Sequence, residues 1–213
     1  MIVAAAVCPH PPALVPELAS GAAHELDAVR NAALAAVHDL VAVEPDRVVV
    51  LGGRTPSDPE DDASGGLAGY GVELEVGRER IAPPLSLTIG AWLLDQSGWP
   101  GPRTYATSAV PVEDRVALLV MADGSARHGT SAPGYFDERA EAYDAKIADA
   151  LRTGDAAALT SLDVELGDEL MVAGVRALVT LGEMTKGAAI DARLRYDGAP
   201  FGVSYWVADW AIA

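Results

Sequence analysis

The sequence predicts a three-layer α/β/α domain with a mostly parallel central sheet and an antiparallel edge near the C-terminus. Three observations carry that expectation. Met1–Val7, Arg47–Leu51 and Arg115–Met121 are short, nearly continuous apolar runs, the pattern of strands buried on both faces of a parallel sheet. Segments with apolar residues at helical spacing lie between and after them. Asp197-Gly198-Ala199-Pro200 then separates two further strand-like segments, which is a hairpin signal.

Met1–Val7 runs into Cys8-Pro9-His10-Pro11-Pro12, whose prolines end the first strand. No basic segment precedes the apolar run, so it reads as a strand and not as a signal peptide. The first helix is expected over Gly21–Val43. There Leu26, Val29, Ala33, Val37 and Leu40 recur at helical spacing, and Glu44-Pro45-Asp46 ends it. Arg47–Leu51 completes a strand–helix–strand unit with a right-handed crossover. Residues 53–69, rich in Asp, Glu, Pro and Gly, read as a long polar loop at the end of that strand, and Tyr70–Val76 alternates as a short strand. Pro83-Pro84 starts a helix over Leu85–Leu94, and Arg103–Ala109 is a weak strand.

After Arg115–Met121 a helix is expected over Tyr135–Arg152, with Phe136, Ala140, Tyr143, Ile147 and Leu151 on one face and Gly154 as its stop. Asp155 caps a short helix through Leu162. Glu165–Ala173 forms another, and Val175–Leu181 fits either strand or helix. Leu194–Tyr196 and Val203–Val207 flank the hairpin turn. No internal repeat and no linker interrupts the order, so residues 1–213 are expected to form one domain.

Composition narrows the function classes. The chain carries 31 acidic and 15 basic residues, a net charge of −16, whereas binding a phosphate backbone needs a basic face. No apolar run approaches the ~20 residues of a membrane span. Neither nucleic acid nor membrane is therefore an expected partner, and the expected setting is bacterial cytoplasm. The 40 alanines, and 13 arginines against 2 lysines, read as codon bias of a GC-rich genome and not as function. One cysteine excludes an internal disulfide or a thiolate zinc cluster, and four histidines leave room for one small metal site completed by carboxylates. Gly-x-Gly-x-x-Gly after a strand, Gly-Lys-Ser/Thr and Gly-x-Ser-x-Gly are all missing, which removes most support for nucleotide-dependent and lipase-like chemistry.

Two clusters fall just after predicted strands, where parallel sheets present functional groups. In the first, prolines restrict the backbone around His10, a preorganisation that suits a ligand or a base. Cys8 points to the same side and is expected to be a packed thiol. In the second, Asp123 is placed to orient a base, His128 to move a proton near neutral pH, and Ser125 to act as a nucleophile. His24 and His38 are expected on the solvent side of the first helix, and Glu165, Asp168 and Glu169 on a solvated helix face. Trp206 and Trp210 are expected in the core or in a subunit contact.

Residues 6–17, Ala-Val-Cys-Pro-His-Pro-Pro-Ala-Leu-Val-Pro-Glu, resemble the opening of class III extradiol ring-cleavage dioxygenases (the LigB superfamily), in which a strand ends in a His-Pro-Pro-like segment. Leu118–Asp155 is similar to that family's strand, Asp-x-Ser-His-Arg-like loop and following helix. The loop here reads Asp123-Gly124-Ser125-Ala126-Arg127-His128. The resemblance follows the element order over most of the chain. It implies the α/β fold, assembly as a dimer with Trp206 and Trp210 as possible contributors, and Fe(II) held by two histidines and a glutamate. The open iron positions take a catecholate and O₂, and a further histidine handles protons. Carried over residue by residue, His10 matches the first metal histidine. The second is expected where this chain has Gly52-Gly53-Arg54. The glutamate falls at Val172 or a neighbour, with Glu165 and Glu169 one to two turns away, and the proton-handling histidine aligns with Ala126, two residues before His128.

Three functions are compatible with these residues. One is an extradiol dioxygenase-like protein related to ring cleavage of catechols, with Fe(II) on His10 and acidic ligands drawn from Asp58, Glu60, Glu165 or Glu169. Another is a metal-free, non-catalytic relative that binds a small aromatic molecule or a protein partner in the same cleft. The third is a metal-independent hydrolase using Ser125, His128 and Asp123.

Overall fold

Six strands form one sheet in the order β3-β2-β4-β1-β6-β5 in a computed structural model that describes residues 1–19, 23–53 and 84–213. The strands are β1 (Ile2–Cys8), β2 (Arg47–Leu51), β3 (Arg103–Ala106), β4 (Val116–Met121), β5 (Ile190–Gly198) and β6 (Tyr205–Ile212). The first four are parallel; β6 runs antiparallel to β1, and β5 antiparallel to β6. This is the mostly parallel sheet with an antiparallel C-terminal edge that the sequence predicts. The polar loop beyond Gly53 and the strand expected at Tyr70–Val76 lie outside the described residues.

The apolar runs exist because both sheet faces are covered. Ala4, Ala6 and Cys8 of β1, with Ala117, Leu119 and Met121 of β4, face one core; Ala5, Val7, Val116, Leu118 and Val120 face the other. The first core is closed by α2 (Asp27–Ala42) and α3 (Leu85–Gln96), after a short α1 (Pro16–Ala19). The second is closed by α4 (Arg139–Thr153), α5 (Ala156–Thr160), α6 (Val164–Glu169) and α7 (Val175–Met184). Among the described residues no helix is long and apolar enough to cross a membrane.

The β1–β2 crossover passes over β4 on the first face, while the β4–β5 connection passes over β1 and β6 on the second. Adjacent parallel strands β1 and β4 therefore send their chains to opposite sides. That is the topological switch point of an open α/β sheet, where the loops at the strand carboxyl ends part and leave a crevice.

Several element boundaries differ from the expectation, each with a local cause. The first helix is split: a 3₁₀ turn at Ala23–Leu26 precedes α2. The helix expected from Tyr135 begins at Arg139, because Tyr135 holds a left-handed φ of 61°; Phe136 is then 58% exposed and not on the buried face. The helix expected to reach Ala173 stops at Glu169, and Met171 also has a left-handed φ, of 57°. Val175–Met184 is a helix, not a strand. Trp206 and Trp210 lie inside the second core, 1% and 2% exposed, so neither is a subunit contact. The Trp210 indole N–H donates to Leu151 O at 2.9 Å and ties β6 to α4. His24 and His38 are solvent-exposed as expected.

Trp210 thus joins a large apolar area to a buried hydrogen bond. Trp210→Ala is expected to destabilise the fold by about 3–5 kcal/mol, read as a lowered urea midpoint with an unchanged slope.

Candidate functional site

The ladder between β1 and β4 continues past Met121, where the Ala122 N–H donates to Cys8 O at 2.9 Å. It delivers His10 and Asp123 side by side at the switch point. The His10 backbone N–H donates to Asp123 Oδ1 at 2.7 Å. His10 Nδ1 stands 3.4 Å from the same oxygen, yet it is buried and makes no hydrogen bond. The two side chains are 5% and 12% exposed. Burial pushes the Asp123 carboxyl above its ordinary range, and the nearby His10 only partly offsets this. A carboxylate can accept about four hydrogen bonds; Asp123 accepts the one from His10 among the described residues.

Asp123–Ser125 is clamped from both sides. Asp123 N–H donates to Ala173 O and Gly124 N–H to Ser204 O, both at 2.7 Å, and Ser125 bridges to Val172. Only glycine fits between them: a Cβ on Gly124 would lie 2.5 Å from the Trp206 ring and 2.6 Å from Ser204 Cβ.

His128 is held by two residues that the sequence reading did not single out. Its Nδ1 lies 3.2 Å from Asp144 Oδ2 and 3.1 Å from Ser204 Oγ, and the Ser204 hydroxyl donates to Asp144 Oδ2 at 2.6 Å. The Ser125 backbone N–H donates to Asp144 Oδ1 at 3.0 Å. Burial raises Asp144, while Ser204, Ser125 and His128 pull it back. Asp144 and Ser204 thus both engage the Nδ1 side of the His128 ring. The ring is one-third exposed, so it is an oriented imidazole at the same edge. Asp144 had a sequence signal, a charged residue at helical spacing among Ala140, Ile147 and Leu151. Ser204 had none.

Ser125, His128 and Asp123 are not joined as a nucleophilic triad. Asp123 pairs with His10 and His128 with Asp144. The Ser125 hydroxyl, fully buried, donates to Leu170 O at 2.6 Å and accepts from the Arg127 N–H at 3.0 Å, which makes it a joint of the loop. Glu169 is not brought to His10. Its carboxylate sits 60% exposed on the outer surface, paired with Arg139 at 2.9 Å.

The described residues do not by themselves make up the Fe(II) centre that the family resemblance implies. Among the described residues no three His, Cys, Asp or Glu side chains converge on one point. At Gly52 a Cβ would lie 2.4 Å from Ser86 Oγ, which leaves no room for a ligand side chain. Val172 is an aliphatic member of the second core. Asp58, Glu60 and Arg54 lie outside the described residues. Cys8 is fully buried against the first core, and burial pushes its thiol far up, so it is a packed, protonated side chain. No protein-family model matches this chain, and no curated protein matches it.

Asp123 keeps its proton to higher pH in the folded chain than the ordinary value of 3.8 allows in the unfolded one. Its ionisation therefore opposes folding as pH rises past that value. Asp123→Asn, which still accepts from the His10 N–H but cannot ionise, should gain stability relative to wild type as pH rises. Urea midpoints of both proteins between about pH 4 and about pH 7 test this. A constant difference, or one moving the other way, would refute the burial argument.

Proposed function

We propose that this chain is an extradiol-dioxygenase-like domain that works without a resident iron, binding a small hydroxylated aromatic molecule at the switch point between β1 and β4. The observation that carries this reading is the buried His10–Asp123 pair with unused hydrogen-bonding capacity. Burying polar groups without partners is costly, and a ligand that supplies them recovers that cost. An aromatic diol fits: one hydroxyl donates to Asp123, another meets His10 Nδ1, and the ring covers both. The His-Pro-Pro and Asp-x-Ser segments support the family reading, and the glycine at position 52 and valine at 172 support its lack of iron. The net charge of −16 supports a role away from nucleic acid.

Protein purified without chelator should carry iron far below one atom per chain and give no ring-opened product from catechol after Fe(II) loading. It should still bind catechol in titration calorimetry, and His10→Ala should weaken that binding about tenfold, some 1.4 kcal/mol. Near-stoichiometric iron that is lost in His10→Ala, together with ring opening, would sink the proposal. It would return the chain to iron-dependent dioxygenases, with ligands such as Asp58 or Glu60.

A further inference from the structure

Tyr205 opens β6 directly beside Asp123. The two residues form an antiparallel bridge. It is flanked by the Gly124 N–H, which donates to Ser204 O at 2.7 Å, and the Ser204 N–H, which donates to Ser125 O at 3.2 Å. Partners across such a bridge project their side chains to one face, with Cβ atoms about 4.5–5.5 Å apart. Tyr205 faces the first core with Val207, so the Asp123 carboxylate and the Tyr205 ring share that face. His10 Nδ1 stands 3.4 Å from the same carboxylate. The Tyr205 phenol is thus a third polar group at the switch point.

Its hydroxyl is unanswered. Tyr205 is 4% exposed, and its O–H makes no hydrogen bond among the described residues. Burial, then the Asp123 carboxylate and then Tyr196, hold the phenol well above its ordinary range, so it stays a proton donor. Two other buried rings have their polar tips engaged: the Tyr143 O–H donates to Asp163 O at 2.8 Å and the Trp210 N–H to Leu151 O at 2.9 Å. For packing alone, a phenylalanine at 205 fills the same space without burying an unpaired hydroxyl.

One ligand atom can answer both Asp123 and Tyr205. A phenolic hydroxyl gives its hydrogen to the carboxylate while its oxygen accepts from the tyrosine. An aromatic amine also donates to a carboxylate, but its lone pair is drawn into the ring and accepts poorly. We propose, resting on the diol site described above, that Tyr205 is its specificity-determining residue: the Tyr205 hydroxyl donates to the ligand oxygen whose hydrogen goes to Asp123, so the site takes aromatic diols and rejects the matching aromatic diamines. A site built to hydrogen-bond one group discriminates against the analogue that leaves its own polar atoms unpaired.

Titration calorimetry of the full chain with catechol, and displacement of bound catechol by 1,2-diaminobenzene, test this. Tyr205→Phe should weaken catechol binding about tenfold, with unchanged circular dichroism and a ligand-free urea midpoint no lower than that of wild type. At one fixed, saturating catechol concentration, about tenfold less 1,2-diaminobenzene should displace catechol from Tyr205→Phe than from wild type. Equal or absent displacement from both proteins, or a variant that binds neither ligand, overturns the role of Tyr205; if His10→Ala still weakens catechol binding, the diol site itself stands. A lowered ligand-free midpoint means that the hydroxyl is answered inside the protein, and it overturns the proposal too. A wild type that binds no catechol overturns the diol site and this proposal together.

Discussion

Parallel pairing of β1 with β4 in the middle of the sheet is the constraint from which the other features follow. Ala5 against Leu118, Ala6 against Leu119 and Cys8 against Met121 set the register, and both strands are buried on both faces. Because the chain leaves them toward opposite faces, their carboxyl ends form the topological switch point of the sheet. His10 and Asp123 sit there for that reason alone. The antiparallel strand β6 begins at the same edge, since it runs back along β1 from Ala208 beside Val7, and it brings in Ser204 and Tyr205. The two pairings of β1, with β4 and with β6, thus gather His10, Asp123, His128 and Ser204, which are spread over most of the sequence.

The two buried carboxylates at this edge differ in how well they are answered. Asp144 takes hydrogen bonds from the Ser204 hydroxyl and the Ser125 N–H, and it faces the His128 ring. It is a satisfied group that fixes a loop and orients a base. Asp123 has one backbone donor and an imidazole nitrogen outside hydrogen-bonding geometry. Stability alone favours a satisfied or an apolar group in such a place. The contrast separates a carboxylate satisfied within the loop from one that keeps unused acceptor capacity among the described residues.

The fold was legible because a parallel sheet covered on both faces demands continuous apolar strands, and Val48–Leu51 and Val116–Met121 have few other uses. The strand order was not legible: nothing in residues 44–53 says that β4 inserts between β1 and β2. Helix starts failed where the backbone turns left-handed at a residue that is not glycine, as at Tyr135, since no composition rule marks such a place. His10 and Asp123 were legible as strand-end residues. Their pairing was not, because it depends on that unreadable insertion. The role assigned to Ser125 was misleading for a related reason. Closeness in sequence to His128 and Asp123 implied a shared centre, but the turn directs the three side chains to different partners: Leu170, Asp144 and His10.

At the two described positions where the resemblance expects further iron ligands, packing as well as residue type stands against them. At Gly52 the first turn of α3 stands against the backbone, with Ser86 Oγ 2.4 Å and Leu87 Cδ2 3.0 Å from any added Cβ, and the Ser86 hydroxyl is engaged with Gly53 O at 3.0 Å. A histidine at 52 therefore requires Ser86 to turn away from Gly53 O and Leu87 to give way. At Val172 a carboxylate would enter an aliphatic core beside Leu170 and Val175, where desolvation penalises the charge that iron needs. Gly53 is different: its nearest neighbour to an added Cβ is Gly174 Cα at 3.9 Å, which is ordinary contact. Among the described residues, then, position 53 is the less crowded of the two glycines. Among the described residues, positions 52 and 172 are therefore packed as glycine and valine, and the polar pair left at this edge is His10 with Asp123.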